Sequence, residues 1–202
     1  MKIILVCLLF ACALARTYPL YKQCDSRWGN DQLGTSSNTI CKAGCAMSSL
    51  AMGLAGIGKN YNPGTLNTWL KSNGGYVSGD LLVWGSVTKL GLTFNGKWIH
   101  NSGKVANSQI KTHLDGGKVV ICNVHNGAHW VLATAISGST VSVNDPGFST
   151  TSYTLSEIVD GQNAVYSVTG VSQWQEFKNT VAGVAANLVS VFEEWWLWIE
   201  IL

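Results

Sequence analysis

Charge is scarce in this chain. Aspartate, glutamate, lysine and arginine make up 12% of its 202 residues, and the net charge is only +2. With no basic run anywhere, nucleic acid is excluded as an expected partner. Long apolar runs are missing as well. The run from Ile3 to Leu14 is too short for a bilayer span, and the uncharged stretch Asn179 to Phe192 covers just 14 residues before Glu193 and Glu194 interrupt it. Neither an ATP-binding motif nor a transporter segment is present. Proline is rare, with 3 residues against 22 glycines and 9 tryptophans, which is the composition of an ordered, aromatic-rich globule and not of a disordered chain.

What is present begins with a targeting segment. Lys2, the apolar run behind it and the small-x-small pattern Ala13-Leu14-Ala15 read as a secretory signal peptide over residues 1–15. Cys7 and Cys12 would leave with it. Cys24, Cys41, Cys45 and Cys122 remain, and in an oxidising compartment the residues alone leave three pairings open. The expected location is secreted or lumenal, as in a lysosome or vacuole. So little chain separates the cleavage site from Gln23 that no N-terminal inhibitory propeptide is expected.

Along the chain, Tyr18 to Gly34 reads as an irregular segment. Small and apolar residues at three- and four-residue spacing (Ala46, Met47, Leu50, Ala51, Leu54) predict a helix over Ala43 to Leu54, stopped by Gly56 and Gly58. Pro63 opens a second helix that turns Leu66, Trp69 and Leu70 inward and breaks at Gly74-Gly75. Third and fourth helices are expected from Asp80 to Leu90 and from Ser108 to Leu114. The period then changes. Lys118 to Val124, Trp130 to Ile136, Thr140 to Asn144 and Ala164 to Val168 read as strands separated by turn residues. Helices first and an antiparallel sheet second is an α+β pattern. Residues 172–202 form a separate unit. Ser172 and Gln175 make a capping box, and Trp174, Phe177, Val181, Val184, Leu188, Val191, Trp195, Trp198 and Leu202 alternate steps of three and four. This amphipathic C-terminal helix is suited to self-association or membrane contact through residues 174–202.

The chemistry concentrates in TICKAGCAMSSLAMGLAG, Thr39 to Gly56. A helix starting at Gly44-Cys45 sets the Cys45 thiol among unpaired backbone N–H groups at the positive end of the dipole, which favours the nucleophilic thiolate. Gly44 leaves the space before it open to a substrate. His129 directly precedes one strand and Asp145 ends the next, so a hairpin would bring both to one end of the sheet as general base and orienting acid. Trp130 is placed to pack beside the histidine and shield it. A Cys2His2 metal set from Cys41, Cys45, His125 and His129 fits less well, because His125 lies in a turn and HNGAH lacks the glutamate of the metalloprotease helix. No metal and no cofactor is expected. His100 and His113 read as surface residues and Cys122 as a buried free thiol.

The residues Gln23, Asp25, Arg27, Trp28 and Leu33, followed by GCAMSSLAM, TLNTWL, GGY, GAHWVLAT and VNDPG, resemble the C39-like cysteine peptidases of the papain fold. The resemblance runs from about Tyr21 to Val168, within a domain set at residues 16–171. It implies N-terminal helices packed on a C-terminal antiparallel sheet, with Cys45 as nucleophile, His129 as base, Asp145 as its orienting partner and Gln23 as oxyanion donor. Gln32 is a lesser candidate for the last role, and Asn144 for that of Asp145. Gln23 lies 22 residues before Cys45, so the loop Trp28 to Gly44 must fold back. A Cys24–Cys41 disulfide would tie that loop down and leave Cys45 free. The resemblance implies a peptide substrate. A peptidoglycan-like polymer cut by an amidase or endopeptidase is the nearest alternative, and a catalytically silent binding module acting through its C-terminal helix is the alternative of another class.

Overall fold

The computed structural model describes residues 16–98 and 104–169. The signal peptide expected over 1–15, the helix expected over 172–202 with its seam, and His100 lie outside the described residues. Helices α1 (Ile40–Ala43), α2 (Cys45–Gly56) and α3 (Pro63–Ser72) come first, followed by the short strands β1 (Tyr76–Val77) and β2 (Leu81–Leu82) and a 3₁₀ segment, Trp84–Leu90. Then come β3 (Leu92–Trp98), α4 (Lys104–Asp115), β4 (Val119–Val124), β5 (His129–Ser137), β6 (Thr140–Asn144), β7 (Ser152–Thr154) and β8 (Asn163–Val168). The large sheet has the order β3-β8-β4-β5-β6-β7 with every neighbour antiparallel, while β1 and β2 form a separate hairpin. This is the expected α+β arrangement.

Helix α2 is the organising element. Met47 through Leu54 are all buried, as a helix without a polar face must be. It lies on the sheet at close range. A Cβ on Gly53 would come within 2.7 Å of Val119 Cγ1, and the Ser49 hydroxyl donates to the Trp130 carbonyl at 3.1 Å. Strand β4 is buried along its whole length because both faces are covered, which explains its unbroken apolar run. Val119 and Ile121 face the core beneath α2 and α3. Val120, Cys122 and Val124 join Ile110 of α4 and Val131, Val141 and Tyr153 in a second core on the opposite face. Burial pushes the Cys122 thiol up to about 12, so it is an inert packing group.

Helix α3 starts where Pro63 predicts. Asn62 Oδ1 accepts from the Thr65 N–H at 3.0 Å, and Thr65 Oγ1 accepts from the Asn62 N–H at 2.9 Å, closing a capping box. The expected helix from Asp80 to Leu90 does not form. Asp80 Oδ2 is captured by Ser36 Oγ at 2.9 Å and Asn38 Nδ2 at 2.7 Å, Leu81–Leu82 pair with β1, and only Trp84–Leu90 coils, as 3₁₀, ending at Gly91 with φ 98°. Four strands, β1, β2, β3 and β7, were not expected. Within β3 the pair Asn95-Gly96 imitates a turn and sits at a register shift against β8.

The β1–β2 hairpin is held over the rest of the domain by a close backbone approach. Gly34 has φ +56°, and a Cβ there would lie 2.1 Å from the Gly79 carbonyl oxygen. Gly34→Ala is therefore expected to lower unfolding stability by at least about 2 kcal/mol, read by chemical denaturation. The exposed Gly58, whose Cβ would meet nothing within 4 Å, supplies the control for left-handed strain without a clash.

Candidate active site

The N-terminal segment supplies one wall of the site. Asp25 closes a turn, its carbonyl accepting from the Trp28 and Gly29 N–H groups at 3.1 and 2.7 Å and its side chain pairing with Arg27 at 2.7 Å. Trp28 and Leu33 anchor this turn in the core. The loop then folds back, with the Ile40 N–H on the Asp31 carbonyl and the Cys41 N–H on the Gly29 carbonyl, both at 2.9 Å. A disulfide joins Cys24 to Cys41 with Cα atoms 4.2 Å apart, and Cys45 stays free.

That disulfide brings Gln23 beside α2. The Gln23 backbone N–H donates to the Pro146 carbonyl at 2.9 Å, and one hydrogen of its side-chain amide goes to the Cys41 carbonyl at 2.7 Å. The second amide hydrogen is left for another acceptor. Gln32 is elsewhere; it is exposed and donates to the Ser36 carbonyl at 2.8 Å.

Gly44 ends α1 and precedes α2, leaving Cys45 as the first residue of a 12-residue helix. The lack of a side chain at Gly44 has a packing cause. It is buried, and a Cβ would come within 2.5 Å of the Ile40 carbonyl oxygen. Ala43, Cys45 and Ala46 are the residues of this turn that line the adjoining cleft, which has a volume of about 950 Å³.

Across that cleft stands His129, at the first position of β5, and Asp145, just past β6, is buried behind it. Strands β5 and β6 pair in the register Leu132↔Asn144 and Ser137↔Thr140, so both residues come to one end of the sheet, as the hairpin argument expects. His129 Nε2 lies 2.7 Å from Asp145 Oδ1. Asp145 Oδ1 also accepts from the Gly147 and Phe148 N–H groups, both at 2.8 Å, and Oδ2 accepts from the Tyr153 hydroxyl at 2.8 Å. A carboxylate is acceptor-only, so Nε2 donates and Nδ1 is the nitrogen left for Cys45. The turn after Asp145 must be glycine for the ring to lie here, because a Cβ at Gly147 would sit 2.9 Å from His129 Cε1.

The electrostatics follow from these contacts. Burial disfavours the charged imidazole, but the hydrogen bond it donates to Asp145 and the contact with the Cys45 thiol outweigh it and raise His129 to about 9. Burial likewise opposes ionisation of Asp145, and the bonds from His129, the Phe148 N–H, Tyr153 and the Gly147 N–H hold it down at about 2. Chemically, such a set can pass a proton between a thiol and an imidazole whose cationic form is stabilised from behind.

Trp130 takes a different position from the one expected. Neighbouring strand residues point to opposite faces, so the Trp130 ring lies against Trp84, with centroids 4.7 Å apart, and forms a wall of the cleft. The rings packed on His129 are His125, at 5.5 Å, and Phe148, at 4.9 Å. Sequence reasoning missed Phe148 and Tyr153 in this setting and treated His125 only as a metal ligand. The spacing of HNGAH and the Pro146-Gly147-Phe148 turn after Asp145 were the available signals. Asn144, the alternative to Asp145, turns away and donates to the Tyr18 and Pro19 carbonyls at 3.0 and 3.2 Å.

No curated protein matches the chain. A family model described as the Peptidase_C39 like family matches it over residues 16–182, a span that holds Gln23, both disulfide cysteines, Cys45, His129 and Asp145. With most of its length covered by that match and a mixed helix and antiparallel-sheet architecture to go with it, the chain belongs to the C39-like peptidase family.

Proposed function

We propose that this protein is a secreted cysteine hydrolase that cleaves peptide or amide bonds through a thioester acyl-enzyme. The observation that carries the reading is the 2.7 Å bond between His129 and Asp145, facing a free cysteine at a helix N-terminus across one cleft. Cys45 Sγ attacks the scissile carbonyl carbon while its proton resides on His129. The carbonyl oxygen becomes an oxyanion, which takes hydrogen bonds from the Cys45 backbone N–H and from the second amide hydrogen of Gln23. As the C–N bond breaks, His129 gives its proton to the leaving amine, and Asp145 keeps the ring in the productive tautomer throughout. Water activated by His129 then hydrolyses the thioester and restores the thiol. The disulfide is compatible with an extracellular location, and among the described residues no helix is long and apolar enough to cross a membrane.

The test needs no known substrate. Iodoacetamide at pH 6.5 should alkylate Cys45 in the wild-type protein at least about tenfold faster than in His129→Ala, read as mass added to the Cys45 peptide. Equal rates in the two proteins, or a Cys45 already bonded to another cysteine, would remove the nucleophile from the reading.

A further inference from the structure

The hydrogen bonds behind Asp145 extend past the set of Cys45, His129 and Asp145. Tyr153, on β7, is buried in the core on the α4 face of the sheet, and its hydroxyl lies 2.8 Å from Asp145 Oδ2 and 3.3 Å from His125 Nε2. A tyrosine has one hydroxyl hydrogen. The carboxylate can only accept, so that hydrogen goes to Asp145, and the bond with His125 must run the other way, with Nε2–H donating to Tyr153 Oη. The chain of donors is therefore directed from His125 through Tyr153 to Asp145, and Asp145 in turn accepts from His129. Burial, reinforced by Asp145, pushes the Tyr153 hydroxyl up to about 12, so it keeps its proton over the whole range in which His129 titrates.

The placement of His125 is built into the backbone. His125 and Asn126 both adopt left-handed conformations, at φ 53° and 54°, which a non-glycine residue takes only at a cost. The Ala128 N–H donates to the His125 carbonyl at 3.1 Å, and Asn123 Nδ2 donates to the Gly127 carbonyl at 3.3 Å, holding the turn. The result is an imidazole, on an exposed turn, laid against three rings: His129 at 5.5 Å, Phe148 at 4.9 Å and Tyr153 at 5.6 Å.

We propose that Tyr153 is a positioning residue for the Cys45, His129 and Asp145 set, and that His125 is the donor that orients Tyr153. The inference rests on the hydrolase reading of that set. Tyr153 occupies the Asp145 oxygen that His129 does not use, which fixes the plane of the carboxylate and keeps Oδ1 aimed at Nε2. The groups facing His129 are Cys45 from α2, Asp145 after β6 and His125 before β5, while Lys22 from the N-terminal segment donates to the Asp145 backbone carbonyl. Tyr153 itself is influenced by Asp145, Thr150 and Glu157, and Glu157 also responds to His125.

The test is an NMR titration of the His129 imidazole in the full chain, with its signal assigned by its loss in His129→Ala, alongside the alkylation rate of Cys45. In wild type the midpoint is expected near 9. Tyr153→Phe keeps the packing and removes one hydroxyl, and should lower that midpoint by about one pH unit, a tenfold change in proton affinity. His125→Leu, at a position that contributes little to the core, should lower it in the same direction, and His125→Gln, which retains an N–H donor, should restore it. A structural role for Tyr153 alone would move the unfolding midpoint and leave the His129 titration in place. An unchanged midpoint in both Tyr153→Phe and His125→Leu, with Cys45 alkylation still dependent on His129, overturns the positioning role and spares the hydrolase. Alkylation that is independent of His129 in the wild type overturns both.

Discussion

Cys45→Ala and His129→Ala are each expected to lower peptide-bond turnover by at least about 10⁴-fold, and the double variant should be scarcely worse than either single one. The non-additivity is the informative part. In the proposed reaction the thiol and the imidazole act as one unit, so removing either removes the step that both serve. Asp145→Asn belongs to the same series. An asparagine can present its N–H to the ring and stabilise the tautomer with the proton on Nδ1, the nitrogen left for Cys45. It also removes the leading contribution that raises His129 to about 9. The alkaline limb of kcat/KM should therefore fall from near 9 in wild type toward the ordinary histidine value of about 6.5 in Asp145→Asn. Stability carries the same sign. His129 is raised above its unfolded value, so its contribution is complete below about 6.5 and is lost as pH rises through about 9. Asp145 is depressed, so its contribution is present above about 3.9 and is lost as pH falls through about 2. Thermal unfolding at pH 6.5 and pH 9.5 should show a drop in the wild type that is much smaller in Asp145→Asn.

How much of this was legible in the residues depends on how local each determinant is. The start of α2 at Cys45 is written in the glycine before it and the small, apolar period after it, and the structure places the helix there. Strands β4, β5 and β6 are β-branched runs bounded by turn residues, so the juxtaposition of His129 and Asp145 could be argued from a hairpin alone. The Cys24–Cys41 bridge was reached only through the family resemblance, since spacing left three pairings open. What escaped is what long-range contacts decide. Asp80 looks like the cap of a helix, and only its capture by Ser36 and Asn38, more than forty residues earlier, leaves the following residues extended. Tyr153 sits in a three-residue strand with no pattern of its own, and its role depends on a partner eight residues earlier and a histidine 28 residues earlier. Trp130 shows a milder version of the same problem. Its place beside His129 in sequence suggested contact, but strand alternation turns the two rings to opposite faces.

The Cys24–Cys41 disulfide should prove to have two separable effects, one on stability and one on turnover. It closes a loop with a sequence separation of 17, for which the chain-entropy account gives about 3 kcal/mol, so Cys24→Ser with Cys41→Ser should lower unfolding stability by about that amount. The bridge also acts on the proposed oxyanion site. Gln23 is bonded in sequence to Cys24, and its side-chain amide is anchored on the carbonyl of Cys41, so the disulfide links the two residues that set where that amide points. Losing an oxyanion donor costs roughly 10²–10³ in kcat. Gln23→Ala should show that loss with the disulfide intact, and the double serine variant should approach it well below its own unfolding temperature, where the protein is still folded. The comparison separates the two contributions. If the double serine variant loses stability but keeps wild-type kcat, the helix start and the Pro146 carbonyl suffice to hold Gln23, and the bridge acts on stability alone. If it loses kcat to the level of Gln23→Ala, and the two changes together cost no more than one, then the disulfide and the glutamine act as a single device. In that case the solvent-exposed position of Cys24 makes the oxyanion donor sensitive to any thiol reductant that reaches the cleft.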